Sequence, residues 1–129
     1  MNDISDGAIM TALGRQMTVS VARQLVAAGN LANVDTPGYR TREVSFGEAL
    51  DRELQLPLAT TAPAHLGGPA AAGPVDREAV GLPGRRDGNN VQLDRELLNM
   101  SRANGDFAAA QAALGAKFRL IRYAINEGR

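Results

Sequence analysis

The sequence predicts a mainly α protein in which long N- and C-terminal helices form an antiparallel coiled-coil hairpin, with a Gly/Pro-rich irregular segment between them. Three observations predict it. Apolar residues in the last third of the 129-residue chain recur at 4,3 spacing, the repeat of a coiled coil. Residues 1–36 carry apolar residues at helical spacing and no proline. Five of the six prolines, at positions 57, 63, 69, 74 and 83, fall between residues 57 and 90, so the strongest helix breakers are confined to the middle.

Residues 5–33 read as one helix. Ser5 or Asp3 serves as its cap, and Asp6 sits where the positive end of the helix dipole favours a carboxylate. A rotation of 100° per residue places Met10, Leu13, Met17, Val21, Leu25, Ala28 and Ala32 on one face, with Val19, Ala22 and Val26 roughly opposite. A helix with two apolar faces requires two neighbours. Pro37 then disfavours helical geometry at Thr36 and ends the helix near Asn33. Pro37 presets the first turn position and Gly38 supplies the positive φ of the second, so residues 36–39 form a type II turn. Ser45 and Glu48 have capping-box spacing and open a short helix through residue 56, facing Phe46, Leu50 and Leu54 inward.

Residues 57–90 cannot bury enough apolar surface to offset the entropy of ordering them, and read as a flexible segment with one short strand around residues 75–80. Counting 4,3 from Leu93 gives Leu93, Leu97, Met100, Asn104, Phe107, Gln111, Leu114, Phe118, Ile121 and Ile125. Leu97, Met100, Phe107, Leu114, Phe118, Ile121 and Ile125 are the expected packing residues of a helix over residues 91–126, about 54 Å long. Asn104 and Gln111 fall on a positions, where a buried amide fixes register. Gly105 costs this helix about 1 kcal/mol relative to alanine. Lys117, Arg119 and Arg122 complement its negative pole. The expected organisation is an N-terminal helix over 1–33, the turn and short helix over 34–56, the flexible segment over 57–90, and the C-terminal coiled-coil helix over 91–129. One hairpin cannot cover the second face of the first helix, and that surface argues for assembly with other chains.

Catalysis is poorly provided for. His65, the only histidine, has no carboxylate or serine in a recognisable arrangement beside it. No phosphate-cradling glycine motif is present, and the stretch Asp87-Gly88-Asn89-Asn90 lacks the later glycine and terminal glutamate of a calcium loop. It reads as a turn with Asn89 or Asn90 capping the next helix. Met10, Met17 and Met100 lie on helical stripes and read as core fillers. Fourteen basic residues balance fourteen acidic ones, which gives no general attraction to nucleic acid, and Arg85-Arg86 is solvated charge. With no cysteine there is neither disulfide nor thiolate metal site. No cofactor is expected. No apolar run reaches the roughly 18 residues that span a bilayer, and the N-terminus has no basic run before an apolar core, so the chain is expected to be soluble when made and to lack a cleaved leader.

The stretch "GNLANVDTPGYRTREVSF" places Asn30 and Asn33 on the last helical turn, followed by Thr36, Pro37, Gly38 and Tyr39. Asparagine is a mediocre helix former, so two of them here suggest amides bonded to something outside the helix. "LVAAGNLANVDTPGYRTREVSF" resembles the N-terminal signature of flagellar axial proteins. With "TTAPAHL", "DGNNVQLDREL" and "KFRLIRYAI" it is similar, over about 80 residues, to the proximal-rod FlgB family of the flagellar basal body. The chain departs from the family pattern at Gly29, Gly105, Phe107 and in its Gly/Pro-rich middle.

The resemblance implies a non-enzymatic structural subunit of the proximal rod, exported through the flagellar type III apparatus and assembling in the periplasm for motility. Its implied partners are itself and other rod proteins, the MS-ring and the basal-body adaptor protein FliE. Asn30, Asn33, Thr36, Pro37, Gly38 and Tyr39 are then expected to act as an intersubunit latch, the tyrosine held outward while the amides pair with a neighbour's backbone. The alternatives are another axial rod component, or a free coiled-coil adaptor or export chaperone, which would be a discrete, strongly helical oligomer in dilute solution.

Overall fold

The structure, a computed structural model, describes residues 6–45 and 74–126. The expected caps at Asp3 and Ser5, the short helix through residue 56 with Phe46, Leu50 and Leu54, and His65 lie outside the described residues, apart from Ser45. Four elements follow in order: α1 (Asp6–Ala32), β1 (Arg42–Ser45), β2 (Val75–Glu78) and α2 (Leu93–Asn126). The two helices pack along each other. Asp6 meets Lys117 at 2.6 Å, Arg23 meets Asp106 at 3.6 Å, and Asn30 meets Glu96 at 2.9 Å. Residue number falls on one helix as it rises on the other, so the hairpin is antiparallel as the sequence predicts. Lys117 is not in the last turn of α2, which runs on to Asn126; its ammonium instead meets the acidic first turn of α1.

The packed stripes differ from the expected ones by one residue. On α2 the buried positions are Glu96, Ala103 and Ala110, flanked by the half-buried Met100, Phe107, Leu114 and Ile121. This is a heptad seam that shares the row of 100, 107, 114 and 121 with the sequence-based one. The other row is not in it: Leu97, Asn104, Gln111, Phe118 and Ile125 are exposed. On α1 the early stripe of Met10, Leu13 and Met17 is half-buried as expected, but further along Ser20 and Ala27 are buried while Val21, Leu25, Ala28 and Ala32 are exposed. The physical reason lies in side-chain size. Ser20 and Ala27 on one helix and Ala103 and Ala110 on the other let the backbones approach closely, and a seam of alanine leaves the bulky residues outside.

The short strand expected around residues 75–80 is β2. It pairs antiparallel with β1, a strand the sequence did not suggest, with Arg42 opposite Glu78, Glu43 opposite Arg77, Val44 opposite Asp76 and Ser45 opposite Val75. Ser45 is the last residue of that strand, and the helix it is expected to open lies outside the described residues. Its sequence, Arg-Glu-Val-Ser, has little apolar alternation to reveal it. Cross-strand charges mark the register instead, with Arg42 to Asp76 at 2.7 Å and Arg77 to Glu43 at 3.5 Å. Both pairs are well exposed, so each contributes about 0.2–1 kcal/mol.

The interior is unusual in what fills it. Among the described residues the largest fully buried side chains are Glu96, Asn30, Asn89, Thr41 and Ser20, all polar, and the buried apolar residues are only alanines and valines. Large apolar side chains lie outside, Leu25 at 68% exposure and Ile125 at 70% among them. Isolated apolar residues on a surface are ordinary, whereas here a seam of alanine lies under a row of exposed Leu, Phe and Ile.

Candidate functional site

The end of the hairpin where α1 finishes and α2 begins is closed by two loops from distant parts of the chain. The first is the turn after α1. Tyr39 N–H donates to Thr36 C=O at 3.2 Å, and Gly38 has φ +72°, which makes residues 36–39 the type II turn that Pro37-Gly38 predicts. Asn33 shapes its approach: Nδ2 donates to Gly29 C=O at 2.9 Å, satisfying a carbonyl orphaned by the end of the helix, and Oδ1 accepts from Thr36 Oγ1 at 3.1 Å. Asn33 thus closes on its own segment.

The second loop is residues 85–91, and its amides meet the first. Asn89, fully buried, aims Nδ2 at the carbonyls of Asn33, Val34 and Thr36, at 2.9, 3.2 and 2.8 Å, so two hydrogens are shared among three acceptors. Asn89 Oδ1 accepts from Val91 N–H at 2.7 Å. Asn90 Oδ1 accepts from Thr41 N–H at 2.6 Å, and Asn90 N–H donates to Tyr39 C=O at 3.3 Å. Neither asparagine caps the next helix, which starts at Leu93 with Gln92 C=O accepting from Glu96 N–H. Arg85 is likewise not simply solvated charge, because its guanidinium donates to Val34 C=O. Residues 74–90, the second half of the segment expected to be flexible, are therefore strand and hydrogen-bonded loop.

The loops cross at their glycines. Gly38 N–H donates to Asp87 C=O at 2.8 Å, Gly88 has φ +83°, and a Cβ on Gly88 would lie 3.5 Å from Gly38 Cα. Gly88→Ala is therefore expected to lower stability by about 1–2 kcal/mol through its left-handed backbone. Gly105→Ala, helical and with open space around its Cβ, is expected to raise it by about 1 kcal/mol. Urea unfolding followed by circular dichroism would give both signs.

Asn30 joins the loops to both helices. Its Nδ2 donates to Arg42 C=O at 2.7 Å and to Glu96 Oε2 at 2.9 Å; its Oδ1 accepts from Arg42 N–H at 2.9 Å and from Tyr39 Oη–H at 3.2 Å. Those four bonds are the full capacity of a carboxamide, and the residue is completely buried. The amide does bond outside its helix, as its poor propensity suggested, but to its own chain and not to a neighbour. Tyr39 accordingly turns back onto Asn30 instead of being held outward. Among the described residues there is no His, Cys, Asp and Glu grouping suited to a metal ion, and no helix long and apolar enough to cross a membrane.

No family model matches the chain. Curated relatives do. The flagellar basal body rod protein FlgB of Escherichia coli (strain K12) is 26% identical over 122 residues, covering 87% of this chain and 88% of the relative. That of Bacillus subtilis (strain 168) is 28% identical over 109 residues, covering 83% and 84%. In Borrelia hermsii the protein of the same name is 32% identical over 97 residues, 67% of this chain and 72% of the relative. The chain belongs to the flagellar basal body rod protein FlgB family. Of the residues the sequence singled out in this FlgB-family chain, the structure gathers Asn30, Asn33, Thr36, Pro37, Gly38 and Tyr39 at one end. It leaves Leu97, Asn104, Gln111, Phe118 and Ile125 along the outside of α2. Sequence reasoning missed the roles of Asn89, Asn90, Thr41 and Glu96. The one signal available was a second asparagine pair beside a glycine, and nothing in a separation of some fifty residues says that the two pairs meet.

Proposed function

We propose that this FlgB-family chain is a non-enzymatic building block of the proximal rod, assembled for motility through the helix faces its own hairpin leaves uncovered. The observation that carries the reading is the inverted distribution of bulk: alanine and polar groups inside, Leu97, Phe118 and Ile125 outside, on a heptad row that matches a neighbouring helix. Asn104 and Gln111 lie on that row and set the register between subunits, where a mismatched neighbour would leave an amide unpaired. The half-buried Met100, Phe107, Leu114 and Ile121 border it from the seam side. The neighbours are other rod subunits and copies of this chain, with the MS-ring and FliE at the base. The route is the flagellar type III export apparatus, without a cleaved leader, to the periplasmic part of the basal body.

In this reading the TPGY element serves assembly indirectly. It fixes the end of the hairpin, and so the direction in which both outer helix faces are presented. Pro37→Ala combined with Gly38→Ala is expected to leave synthesis intact and abolish rod assembly and swimming. Immunoblotting of whole cells and of purified basal bodies, beside a motility assay, makes the comparison; wild-type swimming in the double variant would refute the role assigned to the turn.

A further inference from the structure

One edge of β1 faces β2 and the other faces α1. On the β2 side Ala79 N–H donates to Thr41 C=O at 2.8 Å, so the residues bonded across the ladder are 41 and 43, by the alternation of an antiparallel pair. Arg42 and Val44 point their backbone groups the other way. The first of these positions is already taken: the Asn30 carboxamide both donates to and accepts from the Arg42 backbone, as a residue of an added strand would. The next, Val44, has no hydrogen-bond partner for its N–H or C=O among the described residues.

Val44 is half-buried and borders an open cleft of about 280 Å³ between β1, the end of α1 and the start of α2. Val26, Ala27 and Ala103 give the cleft an apolar floor. Two buried polar atoms on residues that line it also lack partners, Thr41 Oγ1 and Glu96 Oε1, on side chains only 2% and 1% exposed. Orphaned buried groups of this kind cost about 1–3 kcal/mol each and mark an incomplete site.

We propose that the cleft receives a short extended peptide segment from a second rod subunit, added to the edge of β1 at Val44. The open backbone groups decide for a peptide segment. Arg23 is engaged by Asp106 at 3.6 Å and Arg95 by Glu43 at 3.9 Å, and what stays open at Val44 is one N–H and one C=O. A peptide unit brings one donor and one acceptor, which is what Val44 requires. It also carries polar groups toward Arg102 at the rim, and its side chain fills the floor between Val26, Ala27 and Ala103.

The inference rests on the rod reading, and the experiment separates the two. A photo-cross-linking benzoylphenylalanine is placed at the exposed Arg102 and irradiated in isolated basal bodies. The expected product is this chain joined to a second rod subunit, with the linked residue mapped by mass spectrometry to an extended segment. Val44→Pro removes the edge N–H without touching the β2 ladder. It is expected to keep the melting temperature within a few degrees and to lose the product at least tenfold. A product at the mass of one chain would mean that the chain fills its own cleft, and no product at all would mean that nothing docks there; either overturns the proposal. An undiminished product in a folded Val44→Pro variant does so too. If the variant melts early, the Arg102 cross-link in the otherwise natural chain decides alone. Absence of the unmodified chain from basal bodies would remove the rod reading, and this proposal with it.

Discussion

Asn30→Ala is expected to destabilise the free chain by about 3 kcal/mol, near the upper end for a single substitution, and to lower its melting temperature by on the order of 15 °C. The size follows from what is left behind. Removing the carboxamide takes the partner from Arg42 N–H and C=O, from a buried Glu96 oxygen and from the Tyr39 hydroxyl. Asn33→Ala is the control on the same helical turn. It gives up one helix-end bond and one contact to an exposed hydroxyl, and is expected to cost about 1 kcal/mol. Asn30→Asp keeps the shape but loses both donor bonds and sets a second carboxylate against Glu96, so it is expected to behave like the alanine variant. Thermal melts of the three purified chains make the test. Equal losses at positions 30 and 33 would show that the buried network does not hold this end together.

The large-scale fold was legible because its signals are periodic. Seven-residue spacing in the last third and Pro37-Gly38 after a proline-free run give two antiparallel helices and a type II turn, and both are present. What the pattern could not give is which of two adjacent rows faces inward. Hydropathy ranks Leu97 and Phe118 above Ala103 and Ala110 for the interior. Close helix approach selects the alanines, and the bulky row is left exposed. The asparagines show the same limit. Their cost in helix propensity pointed to bonds outside the helix, but propensity is local and the acceptors are not. Arg42 is twelve residues from Asn30, Glu96 sixty-six. A strand pair specified by charge, and a loop that docks on a turn some fifty residues away, have no periodicity to read.

The second large effect is expected outside the monomer. Leu97→Gln, Phe118→Gln and Ile125→Gln together should cost the free chain about 2 kcal/mol and leave it folded, since these side chains are already 52%, 55% and 70% exposed and glutamine has good helix propensity. Assembly is where they count. Covering the exposed half of each on a neighbouring helix contributes about 1–1.5 kcal/mol, so the triple variant loses about 4 kcal/mol per contact, roughly a thousandfold in affinity. Rods built from it should be absent although the protein is made and folds. Ala110→Leu is the mirror image: added bulk in the closed seam is expected to cost the monomer about 1–3 kcal/mol through overpacking. Urea unfolding of the free chains, set beside immunoblots of basal bodies, places each variant on both scales. If the triple variant unfolds the monomer while Ala110→Leu leaves it stable, the inward row is the one hydropathy ranks first, and the outer face of α2 has no bulk left with which to bind.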